Sequence, residues 1–300
     1  MSVWSVPRVA QAAEEWAWIP PGAARVETPE YLLSVMPGAY SLTYVHRFRS
    51  APDRAEEKID EVLDRVRSEG GNGLRWVVRA SSAPEDLGAR LLRRGFAKTE
   101  TAEVLYFELG PTERPHRLRF RRADTLSTRE ARSDEEYDTF RHLGEAVFGD
   151  PPPTDEVVRK FRTEFHSLVE TTGHSGRFLV YDRELPIGRG GLEVSGPVGR
   201  LWGAGVLPEH RGCGAYLAVT AARCEATREE DGEIVLTVAR TGTSGPILKS
   251  HGFREAGPQV TYELRWEREG PSAGRVASPA CPGPGPITGP GSRGSPAAVR

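Results

Sequence analysis

LWGAGVLPEHRGCGAYLAVTAARCEATR, residues Leu201–Arg228, is the stretch whose reading decides the fold. Leu201–Leu207 is apolar with small residues let in, which suits a strand. Pro208-Glu209-His210 does not extend a strand, and Gly214–Arg228 suits a helix. Between them, Gly212 and Gly214 permit a positive φ and a close backbone approach. The amides that follow are the unpaired first N–H groups of the helix, and the helix dipole adds partial positive charge there. Strand, glycine turn and helix start together make an anion site suited to phosphate or pyrophosphate.

Upstream, Arg177–Tyr181 and Ile187–Ser195 read as a hairpin around Asp182–Leu185, the second strand being rich in glycine. Two helices precede it. Ser133–Phe148 has Ser133 as its N-cap, acids in its first turn and Gly149 after its end. Thr154–Thr171 carries Val157, Phe161, Phe165 and Leu168 on one stripe, and Pro151-Pro152-Pro153 separates the pair. Leu118–Arg122 (LRFRR) is expected to open this set as a strand. Downstream lie a buried strand Glu233–Ala239, a short helix within Thr243–His251, Gly252-Phe253, and a last strand Gln259–Trp266.

The first third of the chain has the same alternation. Glu30–Met36 and Ser41–Phe48 are strand-like around Pro37-Gly38. Ala51–Arg67 is a helix with Ile59, Leu63 and Val66 on one face, stopped by Gly70-Gly71. Leu74–Arg79, a short helix Glu85–Arg94, Gly95-Phe96 and Glu103–Leu109 follow. Residues 1–25 give no regular element beyond Trp4, Trp16 and Trp18, which could pack on something. The order strand, polar turn, short helix, Gly-Phe, strand thus occurs twice, from Val77 and from Thr237, which indicates an internal repeat. The expected class is α/β (α+β): a mixed, mostly antiparallel central sheet with flanking helices, in two related halves. The expected divisions are 1–110, 111–268 and a disordered Gly/Pro-rich tail, 269–300.

Arg211-Gly212-Cys213-Gly214-Ala215-Tyr216, preceded by Val206-Leu207-Pro208-Glu209-His210, resembles the signature of the GNAT superfamily of acyl-CoA N-acyltransferases: Arg or Gln, two residues of any kind, Gly, any residue, then Gly or Ala. The element order over 117–266 and the ending Lys249–Phe253 resemble the same family. The whole chain is similar to a tandem GNAT arrangement whose N-terminal copy lacks the glycine turn. The resemblance implies acetyl-CoA as co-substrate, no metal, and direct transfer of an acetyl group to a primary amine. It also implies cofactor contacts from Gly205, Val206 and Leu207 along the pantetheine arm. Arg211, Gly212, Cys213, Gly214, Ala215 and Tyr216 would hold the pyrophosphate.

Three positions depart from the family. Tyr216 is bulky where Gly or Ala is usual, so its ring lies either over the cofactor or in the helix–sheet interface. Leu248 stands where many members place a tyrosine that protonates the departing thiolate. That role is empty here or has moved to Tyr216, Ser244 or water. An asparagine often found after the following strand is replaced by Thr241-Gly242-Thr243-Ser244. A general base is still required, since an ammonium must lose a proton before it attacks. Glu193 is the first candidate, then Glu209 and His210. Glu193 and Tyr216 are therefore the expected catalytic pair. Glu145 and Asp150 could draw in a cationic amine. The alternative reading is an acyl-CoA-binding sensor or scaffold that has lost its chemistry.

Composition sets the remaining expectations. A formal net charge of −2 over 300 residues gives no global field for nucleic acid or an anionic membrane. No apolar run approaches the roughly 18–20 residues of a membrane span. The opening residues carry Glu14 and Glu15 and no basic flank before an apolar core, so no secretory signal is expected. Cys213, Cys224 and Cys281 form neither a disulfide framework nor a metal-ligand spacing, and His142, His166 and His174 are scattered. A cytoplasmic monomer or homodimer is expected. The acceptor is left open among a small amine, an aminoglycoside-like compound, a peptide N-terminus and a lysine. The N-terminal half is left open among a packing partner, a lid and a remnant.

Overall fold

In the computed structural model, residues 4–20, 22–37, 42–111, 116–149, 154–170 and 175–266 are described. The strands are β1 (Ala24–Glu27), β2 (Tyr31–Val35), β3 (Tyr44–Phe48), β4 (Gly73–Arg79), β5 (Ala97–Glu108), β6 (Leu126–Glu130), β7 (Ser175–Asp182), β8 (Leu185–Ser195), β9 (Val198–Val206), β10 (Ile234–Arg240) and β11 (Arg254–Arg265). The helices are α1 (Val6–Glu15), α2 (Ala55–Ser68), α3 (Leu87–Arg93), α4 (Asp134–Phe148), α5 (Asp155–Glu170), α6 (Ala215–Glu229) and α7 (Ser244–Ser250). One sheet holds all the strands in the order β1-β2-β3-β4-β11-β5-β10-β9-β8-β7-β6.

The repeat is visible in the pairing. β3–α2–β4–α3–β5 follows the same path as β9–α6–β10–α7–β11. Each unit contains one parallel pair, β3 with β4 and β9 with β10, while every other pair is antiparallel. The last strands cross between the halves. β11 lies between β4 and β5, and β5 lies between β11 and β10. Each half therefore borrows a strand to cover the edge of its own parallel pair.

Local chemistry explains most elements. Ser133 accepts from Glu136 N, and the Glu136 side chain returns to the Ser133 backbone, a complete capping box. Gly149 ends α4 in the left-handed region at φ 69°. Ile59, Val62, Leu63 and Val66 of α2 are buried against a core around Trp76, Phe48 and Phe96. α6 packs Ala215, Ala218, Val219 and Cys224 against β8, β9 and β10.

Two expectations are corrected. Leu118–Arg122 is not a strand; the first strand of that half is β6, paired with β7. Leu118 and Phe120 do pack on the core, but the segment runs beside the glycine turn, where Ala123 N donates to Cys213 O at 3.1 Å. The opening residues, a weak stretch to which the sequence assigns no element, contain α1. Its stripe of Val9, Ala12 and Ala13 is made of small side chains and so is faint in a periodicity reading. That stripe packs on Val104, Tyr106 and Leu236 of β5 and β10. The turn at Gly38, Asp150, Pro151–Pro153, the Leu168 side chain, His174, Cys281 and the tail from 267 onward lie outside the described residues.

Candidate active site

β9 and β10 pair only from Val198↔Ile234 to Leu201↔Thr237. β9 then continues to Val206 and β10 to Arg240 without touching. A slot opens through the sheet between them, a cleft of ≈ 730 Å³. Trp202–Val206 have no β10 strand partner, which leaves this edge of β9 open to an added strand. Thr237 Oγ1 closes the apex by donating to Leu201 O at 3.0 Å.

A bulge shapes this edge. Gly203 has φ 55°, and the β8–β9 register slips between Arg189 and Gly191. Two arginines hold it from opposite faces. Arg189, stacked at 4.0 Å on the Phe140 ring, donates from Nε to Gly203 O at 3.1 Å. Arg223 of α6 donates from Nη1 to Trp202 O at 3.4 Å and to Gly191 O at 3.0 Å. The glycines of β8 make room for these side chains. A Cβ on Gly190 would lie 2.8 Å from Arg223 Cζ, and one on Gly191 would strike the Trp202 ring.

Beyond β9 a single 3₁₀ turn, Pro208–His210, leads into the glycine turn. Gly212 and Gly214 have φ 82° and 91°. Gly212 faces open space, whereas a Cβ on Gly214 would run into Arg121 O and come within 2.9 Å of Arg122 Cα. The second glycine is thus demanded by the chain crossing behind it as well as by its own backbone. Among the described residues, no acceptor is found for the N–H groups of Gly212 through Leu217. The first helical bond is Ala218 N to Gly214 O, at 2.9 Å. Arg211 lines the cleft and folds back so that Nε donates to Val206 O at 3.3 Å. Arg121, His210 and Arg240 line it too. The one lining carboxylate, Glu100 of β5, is paired with Arg240 Nε at 2.8 Å. Free amides with an excess of basic groups suit a polyanion.

Most of the sequence-predicted residues meet here: Gly205, Val206, Arg211, Gly212, Gly214, Ala215 and Tyr216 all line the cleft. Cys213 is turned inward, its Sγ donating to His210 O at 3.0 Å, and Leu207 packs with Trp202 in the core under α4 and α5. Gly205 is small because Val147 of α4 sits against it. The Tyr216 ring packs on the core at the α6–sheet interface and still lines the cleft near Ser244. Burial raises its phenol pKa, an effect the Arg223 charge and the Ser244 hydroxyl partly offset. Leu248 is buried in the core.

Glu193 is not brought to the cleft. It sits opposite Arg200, two residues short of Trp202 along β9. Oε1 accepts from Arg200 Nη1 at 3.1 Å and Oε2 from Trp16 Nε1 at 3.3 Å. Glu209 is exposed outside it, and Glu145 is paired with Arg141 on α4. Sequence reading missed Arg189, Arg223 and Glu100. The signal for Arg223 was a charged residue on the sheet-facing side of α6, opposite two consecutive glycines.

The equivalent place in the N-terminal half is closed. β3 and β4 pair at Tyr44↔Arg75 and Val45↔Trp76 and then separate. Arg79 Nη1 spans the gap to His46 O at 2.9 Å, and the 80–84 segment bonds to Phe48 O and Ser50 N. α2 starts without a glycine turn and carries Glu56 and Glu57 in its first turn, which repel an anion.

No family model matches the chain, and no curated protein does. Solved structures do. A GCN5-related N-acetyltransferase from Kribbella flavida superposes with a TM-score of 0.62 at 13% identity, covering 89% of this chain and 96% of its own. One from Sphaerobacter thermophilus gives 0.59 at 16% identity, over 85% of each chain. A tandem GNAT protein from the clavulanic acid biosynthesis pathway gives 0.52 at 15% identity, over 87% and 89%. The chain has the GNAT fold. Among the described residues, the slot between β9 and β10 and the glycine turn before α6 occur in this GNAT fold once, in the second half. Among the described residues no His, Cys, Asp and Glu cluster could hold a metal, and no helix is long and apolar enough to cross a membrane.

Proposed function

We propose that this protein is an acyltransferase that moves an acetyl group from acetyl-CoA directly to a primary amine. The observation that carries the reading is the joining of two features in one cleft: free N–H groups at Gly212–Leu217 and the unpaired β9 edge at Trp202–Val206. A pyrophosphate on the first and a pantetheine arm along the second would thread the cofactor to the apex at Trp202. Arg211 adds charge beside the phosphates. The acceptor enters from the opposite side of the sheet, where α4 and α5 form a wall. Residues 111–268 supply this site together with Glu100 of the first half, and residues 1–110 otherwise form a related half with no cofactor turn.

Attack by a neutral amine forms the C–N bond and expels the CoA sulfur. Tyr216 is assigned the proton donation, a role supported by its lining the cleft and by burial that keeps its phenol protonated. The buried Leu248 favours a second reading, an acyl-CoA-binding protein with impaired chemistry. Calorimetric titration with acetyl-CoA tests the binding that both readings share; no heat and no thermal stabilisation at millimolar ligand would end both. Free-thiol release across a panel of amines separates them, because only an enzyme turns over.

A further inference from the structure

Arg223 is 2% exposed and has no carboxylate partner among the described residues. Nε donates to Val219 O at 3.0 Å, Nη1 to the carbonyls of Gly191 and Trp202, and Nη2 to Thr220 Oγ1 at 3.2 Å. Every one of these acceptors is neutral. Taking a cation out of water without an anion is strongly unfavourable, and such charges in native folds normally have a counter-ion. Here β8 gives up its side chains at Gly190 and Gly191, next to this guanidinium and its carbonyl partners. Burial pulls the Arg223 pKa down to about 10, which leaves it charged at neutral pH.

Its position is specific. Trp202 is the first residue beyond the last β9–β10 pair, so Nη1 reaches the closed end of the slot from behind, while the guanidinium itself lies over Gly190 and Gly191 of β8, outside the lining of the cleft. On the acyl-CoA reading above, that end receives the thioester. Resting on that reading, we infer that Arg223 is a positioning charge that stabilises the departing CoA thiolate until it is protonated. The amine nitrogen bonds to the acyl carbon, the C–S bond breaks, and its electron pair stays on sulfur as the thiolate. The surplus ammonium proton passes to water, and the thiolate then takes its proton from the Tyr216 phenol, which recovers one from water. A fixed charge in a water-poor site is effective because nothing must reorganise as the negative charge develops.

Other groups face the same place. From α6 they are Tyr216, Thr220 and Cys224; from β10, Thr237 and Arg240; from α7, Ser244. β5 contributes Glu100, held by Arg240, and Glu103, held by Lys249 at 2.8 Å. His210, Arg211 and Arg121 lie at the cleft mouth. Arg240 and Glu100 offset each other, so among the described residues the fully buried charge without a carboxylate partner behind the apex is Arg223.

The test is the thiol pKa of CoA bound to the full-length protein. It is read from thiolate absorbance against the complex with a CoA analogue lacking sulfur. Bound thiol is expected to titrate at least about one pH unit below free CoA measured alongside. Arg223→Gln keeps an amide donor for Gly191 O and Trp202 O but removes the charge, and should return the thiol to the free value or above. Arg223→Lys should keep most of the shift. A merely structural arginine would not distinguish these two variants. Bound thiol titrating as free CoA in the wild type overturns the inference, as does an unchanged shift in Arg223→Gln. Should Arg223→Gln fail to fold, Gly190→Ala replaces it: its methyl displaces the guanidinium and must shrink the shift, and an unchanged shift again refutes. Calorimetry with CoA precedes the titration. No binding there sinks the acyl-CoA reading itself, and this inference with it.

Discussion

The two glycines of the turn look equivalent in sequence, and the structure makes them unequal. Alanine at Gly212 meets open space and has only the left-handed backbone to tolerate, at φ 82°, which costs about 1 kcal/mol. Alanine at Gly214 has the same backbone problem at φ 91° and also collides with main-chain atoms of Arg121 and Arg122. Backbone gives way less readily than a side chain, so the overpacking adds about 2 kcal/mol, for a total of about 3. For a folded unit of this size, each kcal/mol lowers Tm by roughly 2–4 °C. Gly212→Ala should therefore melt about 3 °C early and Gly214→Ala about 9 °C early.

Ligand separates the two further. Acetyl-CoA at a hundredfold excess over Kd stabilises the wild type by about 2.7 kcal/mol, again some 5–10 °C. Gly212→Ala should lose this gain while keeping its fold, because its new methyl stands on the open side of the turn. Calorimetric scans with and without acetyl-CoA measure both effects at once. Equal losses in Tm for the two variants would refute the packing argument at Gly214. A full ligand shift in Gly212→Ala would refute the placing of phosphate at the turn.

Other consequences can be checked separately. Tyr216→Phe should lower the rate of thiol release while leaving acetyl-CoA affinity within about threefold, since the ring remains and only the proton donor is lost; a rate equal to wild type removes Tyr216 from the chemistry. Glu193→Gln should leave the pH–rate profile unmoved, because that carboxylate is spoken for by Arg200 and Trp16; loss of the acidic limb would return it to the role of base. His46 has its pKa lowered to about 4, chiefly by burial and then by the nearby Arg79 charge. The folded pKa lies below the unfolded value near 6.5, so unfolding takes up a proton between the two. His46 therefore makes no demand above pH 6.5, and stability falls by about 2–3 kcal/mol as pH drops through that window toward 4. Urea midpoints at pH 7 and pH 4.5 read this directly, and His46→Gln should flatten the difference; a slope unchanged in the variant assigns the acid sensitivity elsewhere.

Much of this was legible in the sequence because local rules and tertiary context agreed. The capping box at Ser133 and Glu136 and the stop at Gly149 are local devices, and they appear where the residues place them. The glycine turn was legible because few residues other than glycine tolerate the left-handed backbone seen at Gly212 and Gly214. The misreadings arise where context overrides pattern. LRFRR alternates like a strand, but its apolar side packs beside a turn and a helix, so no ladder forms. Glu193 alternates onto the expected face, yet a ladder position and a side chain's partner are different facts. Arg200 on β9 and Trp16, from 177 residues earlier, decide what its carboxylate does. The crossing of β5 and β11 is invisible to any window, since a strand's own residues do not say which neighbour it will take.

That crossing also bears on what the N-terminal half is for. β10 forms one wall of the slot, and its outer edge is covered along Ala102–Glu108 by a strand of the other half. Without β5, β10 would present a bare edge of unpaired N–H and C=O groups beside the cleft. Arg240 would lose Glu100 and Lys249 would lose Glu103, the two ion pairs that tie β10 and α7 to the first half. α1 covers the same two strands from one face with Val9, Ala12 and Ala13. The half that lacks a glycine turn is thus built into the wall of the half that has one. Arg79 and His46 bridge the corresponding gap between β3 and β4, whereas the last strand of the same half could not be lost without baring the β10 edge beside the cleft.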